Sequence, residues 1–135
     1  MSTNATINLY FDDGQMDSIY IHWDGYIDGV GQTLEESYRN KEKIRALINR
    51  GSASSLEKEI EDMRFYEDDS TPRRLSFENL FHSPFRQEYN YVWIPVKHNT
   101  EHWIVSYGND SQWYYLHHLI KARVEQNVLK RLVDI

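Results

Sequence analysis

The chain contains no cysteine. That excludes disulfides, a thiolate nucleophile and cysteine-ligated metal, and it suits a reducing cytoplasm. It also lacks any run near the roughly 20 apolar residues of a membrane span, and no apolar stretch follows Met1 to serve as an export signal. The expectation is a cytoplasmic protein with no membrane partner. Positive charge is in deficit as well: 21 acidic residues against 15 basic ones leave a formal charge of −6. Phosphate contacts need a basic surface, so direct nucleic-acid binding is not expected. There is no internal repeat, no low-complexity tract, no nucleophile elbow, no kinase signature and no EF-hand loop.

What remains is the composition of a folded domain. Of 135 residues, 40% are hydrophobic and 14% aromatic, enough to offset ordering entropy by burial, and residues 1–135 read as one domain. Residues 6–11 form a strand pattern, and Asp12-Asp13-Gly14-Gln15 a hairpin turn in which Asp-Gly tolerates positive φ. Residues 17–23 form the returning strand, with Ile19, Ile21 and Trp23 on the core face and Tyr20, His22 and Asp24 on the other. From about Gln32 the spacing turns helical through Leu34 and Tyr38. A second helix is expected to start at an Asn40 cap and stop at Gly51. Ser55 is placed to cap a further helix over residues 56–63. Leu75, Phe77, Leu80 and Phe81 are expected to form a short helical turn that plugs the core before Pro84.

Three strand-like runs follow, at 89–96, 103–107 and 112–116, as a meander. Leu116, Ile120, Val124, Val128 and Leu132 then recur at i+4 and mark a last amphipathic helix, widened by Leu119 and Leu129. The fold class is therefore α+β: an antiparallel sheet of about five strands, an N-terminal hairpin plus a C-terminal meander, packed by two to three helices.

Chemistry concentrates in Ile19-Tyr20-Ile21-His22-Trp23-Asp24-Gly25-Tyr26 and the Asp28-Gly29-Val30-Gly31 that follows. On a strand, His22 and Asp24 share a face about 7 Å apart, the raw material of an acid–base or metal-binding pair. Asp24-Gly25 is equally a strand-ending turn, which would leave His22 and Tyr26 as a recognition patch or a packing cluster. The glycines at 29 and 31 precede a helix, as in a phosphate nest. Without a third glycine or a lysine, and with Asp28, Glu35 and Glu36 beside them, they suit a tight strand-to-helix turn instead.

His98 and His102 have a metal-compatible spacing on a helix; here they fall in a hairpin, whose turn could still bring them together. A third ligand would have to come from His117, His118 or His22. No metal and no cofactor is expected.

Two features remain for binding. Glu57, Glu59, Glu61, Asp62, Glu67, Asp68 and Asp69 crowd one short segment against Lys58 and Arg64. This reads as a solvated face or as a patch that competes for a basic groove on a partner. Tyr89, Tyr91 and Trp93 alternate on one strand against Val92 and Ile94. Either helices cover both faces of the sheet, or one aromatic face is left for a partner.

The segment from Ala5 to Leu34 resembles a pattern common among small bacteriophage and prophage proteins. A strand, an acidic glycine turn, a second strand ending in His-Trp-Asp-Gly-Tyr and a Gly-x-Gly-x-x-Leu helix entry follow one another. It departs at Ile27, where those proteins usually have proline, and it covers about a quarter of the chain. The resemblance implies a mobile-element protein acting inside a bacterial cell, where many such proteins disable host defences.

The expectation drawn from both lines is a non-enzymatic, anti-CRISPR-like inhibitor. It would bind a bacterial defence protein, a CRISPR effector among the options. The contact residues would be Glu57, Glu61, Asp62, Glu67, Asp68 and Asp69, with His22, Trp23, Asp24 and Tyr26. Two alternatives stand beside it: a small hydrolase or metal-dependent enzyme using His22, Asp24 and a later histidine, and a homodimeric regulatory module joined by sheet edges or the last helix.

Overall fold

The computed structural model describes residues 2–96, 100–109 and 111–133, with side chains described to residue 126. Ala5, Ile7 and Leu9 point to one face of the first strand and Thr6 and Asn8 to the other, and all five are buried. Only a central strand has both faces covered. β1 (Ala5–Tyr10) accordingly lies inside a six-stranded sheet of order β3-β2-β1-β4-β5-β6. β2 (Gln15–Ile21) returns antiparallel across a turn in which Gly14 has φ 86°.

The chain then passes through a π-helical turn (Ile27–Gly31), α1 (Gln32–Ser37) and α2 (Lys41–Arg50). β3 (Arg73–Ser76) adds to the outer edge of β2, whereas β4 (Tyr89–Pro95) enters on the far side of β1, parallel to it. β5 (Glu101–Tyr107), β6 (Tyr114–Tyr115) and α3 (Leu116–Val133) complete the fold. No helix among the described residues is long and apolar enough to cross a membrane.

The α+β class holds, but the sheet is mixed and has six strands where five antiparallel ones were expected. Hydrophobic alternation marks a strand but not its direction, and β4 is set parallel by the long excursion that precedes it. The missed strand, β3, holds a single apolar residue, Leu75. It is an edge strand whose Arg74 Nε donates to Asp17 Oδ1 at 2.5 Å.

Asn40 caps α2 as expected, its Oδ1 accepting from Lys43 N at 2.8 Å, and Gly51 ends it at φ 94°. The expected helix over 56–63 is absent; a 3₁₀ turn, Ile60–Asp62, stands in its place. The backbone here bonds elsewhere: Glu57 O accepts from the Tyr38 hydroxyl and Lys58 O from Lys43 Nζ, both at 2.7 Å. Ser55 caps nothing; its hydroxyl donates to Glu57 Oε1 at 3.3 Å. Like charges at Glu57 and Glu61, four apart, would also oppose a helix.

Both sheet faces are covered. On one, Ile7, Ile19, Tyr91, Trp93 and Trp103 pack against Leu34, Tyr38, Ile44 and Leu47 of α1, α2 and the junction between them, and against Leu116 at the start of α3. On the other, Met16, Val92 and Ile104 meet Leu80 from a 3₁₀ turn, Phe77–His82. That is the plug the sequence implied, with Phe77 stacked on Trp113 at 5.2 Å. Tyr91, Trp93 and Trp103 are therefore interior, and the strand rings form no open aromatic face.

Candidate functional site

Two of the exposed aromatics, Trp23 and Tyr26, lie just past the end of β2, and a third, Phe85, lies elsewhere. The strand stops at Ile21, after which His22 N and Trp23 N bond to Ala53 O and Ser54 O at 3.2 and 2.8 Å. This carries Trp23 off the core face expected for it and leaves it 48% exposed. The chain reverses at Asp24, whose φ of 59° is the left-handed region that Asp tolerates better than most residues.

Backbone bonds hold the turn from three sides. Gly25 N donates to Thr3 O at 2.8 Å, Gly25 O accepts from the buried Tyr91 hydroxyl at 2.7 Å, and Val30 N donates to Asp24 O at 2.8 Å. A Cβ at Gly29 would sit 2.2 Å from Asp24 O, so this glycine serves close approach of backbones rather than a phosphate.

Between this turn and residues 55–58 runs an open groove of about 400 Å³, lined by Trp23, Asp24, Asp28, Glu36, Glu57 and Lys58 among others. The groove brings together the start of the acidic segment and the Trp-Asp motif, which lie more than thirty positions apart in the chain. Four carboxylates face one lysine across it, and Arg123 of α3 contacts Asp28 at 3.2 Å through both oxygens. Tyr26 is 40% exposed, and its hydroxyl donates to Asp24 Oδ1 at 3.2 Å. The Asp24 charge, then that hydrogen bond, holds the Tyr26 pKa above its ordinary value, so the phenol stays neutral.

The other expected residues separate. Glu57, Glu59 and Glu61 all act on the Tyr38 hydroxyl, whose pKa is raised first by burial and then by these charges. Asp62 is exposed on the same 3₁₀ turn as Glu61. Glu67 and Asp68 occupy a second 3₁₀ turn, and Asp69 pairs with Arg73 at 3.3 Å beside a different cavity, of about 140 Å³, floored by Thr6 and Ser18.

His22 and Asp24 make no acid–base pair: the His22 Nδ1 is 2.6 Å from the Tyr20 hydroxyl, while Asp24 holds Tyr26. The His22 ring stands edge-on to Trp23 with centroids 4.6 Å apart and so backs the indole. His98 lies outside the described residues. His102 instead meets His117 of α3, and among the described residues no group of three His, Asp or Glu is arranged to hold a metal ion.

Sequence reasoning missed Glu36 and Arg123. Glu36 was legible as the outer face of a helix whose inner face holds Leu34, but Arg123 reaches Asp28 only through the placing of α3. Comparison with protein-family models, with curated proteins and with solved structures returns no match.

Proposed function

We propose that this protein is a non-enzymatic binding protein that captures a basic surface of a bacterial defence protein in the host cytoplasm, in the manner of a phage counter-defence inhibitor. The observation that carries this reading is the exposed Trp23 indole standing in a groove with Asp24, Asp28, Glu36 and Glu57. A half-exposed tryptophan supplies apolar contact area of the kind that dominates binding hot spots. The carboxylates around it attract arginine and lysine, accelerate encounter and reject acidic surfaces. Glu61 and Asp62 extend the same charge beyond the groove. The phage resemblance of residues 5–34 supplies the setting, and a CRISPR effector, whose nucleic-acid channel is basic, is the defence protein of matching charge.

The test is capture from a bacterial host lysate at low salt, followed by association kinetics on the captured protein. Trp23→Ala should cost about 2 kcal/mol or more of affinity. Reversing Glu36, Glu57, Glu61 and Asp62 to lysine should slow association by about tenfold or more, with the difference shrinking as salt is added. Unchanged capture by both variants, folded by circular dichroism, would remove the proposal.

A further inference from the structure

Three imidazoles meet where α3 leaves the sheet. His102 comes from β5, and His117 and His118 from the first turn of α3. Ring centroids are 5.4 Å apart for His102–His117 and 4.3 Å for His117–His118. Tyr115 touches all three rings, at 5.8, 5.4 and 5.1 Å. The brevity of β6 causes this. Tyr115 pairs with Ile104 and the helix begins at the next residue, so its first turn descends beside His102 instead of continuing along the β5 edge.

The charges facing His117 are unfavourable to a proton. α1 contributes Glu35, which faces His102 and pairs with Arg39 of the segment between α1 and α2. α3 has no acidic residue in its first turn, whose free N–H groups form the positive end of the helix dipole. An imidazolium at 117 would meet His118, His102 and Arg39 as like charges. Burial, then His118, His102 and Arg39, hold the His117 pKa below 6.5.

α3 depends on this region. Leu116 is fully buried and Leu119 and Ile120 are partly so, whereas residues 121–126 are all exposed and Val124 is 58% exposed. Among the residues of α3 whose side chains are described, apolar docking thus rests on the two turns that contain the histidines. The geometry points to a proton-operated latch: charging His117, packed against His102, His118 and Tyr115, releases the start of α3 from β5 and α1, and with it the Arg123–Asp28 contact at the groove rim. The sign follows from linkage. A histidine whose folded pKa lies below its unfolded 6.5 gives stability that is complete above 6.5 and is lost as pH falls through the folded value. Each unit of depression changes the opening equilibrium about tenfold.

Imidazole NMR titration with hydrogen exchange of the α3 amides, corrected for intrinsic rates, tests this on the intact chain without any partner. It is therefore separate from the binding proposal. His117 should titrate below 6.5, and protection over residues 116–126 should fall between pH 7.5 and 5. In H117Q and in H102Q/H117Q/H118Q that fall should flatten. A His117 titrating at or above 6.5, or an unchanged pH profile in the variants, overturns the latch. If the triple variant does not fold, the native titration and H117Q decide.

Discussion

Gly25 positions the groove by having no side chain. A Cβ there would lie 2.8 Å from Asn4 C and 2.9 Å from Asn4 O and Thr3 O, all backbone atoms that cannot rotate away. Gly25→Ala should therefore destabilise the fold by about 1–3 kcal/mol, read as a lower thermal midpoint. The Trp23 emission should shift with it, because the turn carrying the indole is displaced. The identity of this glycine was plain in the sequence as a turn signal, but its reason was not. Thr3 and Asn4 lie some twenty positions away, and only the close packing of the N-terminal segment makes the site intolerant of a methyl group. Trp23 teaches the complementary lesson. Alternation assigned it to the core beside Ile19 and Ile21, yet alternation holds only while the strand lasts, and pairing with Ala53 and Ser54 draws the chain off the sheet first.

Among the elements, α2 is the one whose limits local chemistry set. Asn40 satisfies the Lys43 amide, and Gly51 takes a φ that few other residues adopt. Asn40→Ala should cost about 1 kcal/mol in denaturant unfolding while Asn40→Asp should be nearly neutral, since either carbonyl or carboxylate can accept the bond. The segment from Ser55 to Met63 shows the opposite. It has a cap residue and helical spacing, but Tyr38 and Lys43 take the carbonyls of Glu57 and Lys58, and the segment folds as a loop against them. That loop path places Glu57 at the groove it shares with Asp24 and Asp28.

For the molecule as a whole, stability should concentrate in β1 and fade along α3. β1 is paired on both sides and buried on both faces, so Leu9→Ala should cost about 2–5 kcal/mol and shift the whole unfolding transition. Val124→Ala, on an exposed turn of α3, should change the midpoint by no more than about 0.5 kcal/mol. A comparable loss at Val124 would mean that α3 is covered in solution. The aromatic strands belong to this scale too. Sequence alone left open whether a face of Tyr and Trp met solvent; Leu80 and Phe77 close one side and the helices the other.

Composition and local pattern by themselves determined the α+β class, the first hairpin, the capped helix and the plug of residues around Leu80, because each depends on side chains close together along the chain. Tertiary structure alone decided the parallel entry of β4, the edge strand at Arg73, the loop in place of a helix after Ser55, and the meeting of Trp23 with Glu36 and Glu57. Those depend on which distant backbone groups and charges satisfy one another, a competition that short-range periodicity does not encode.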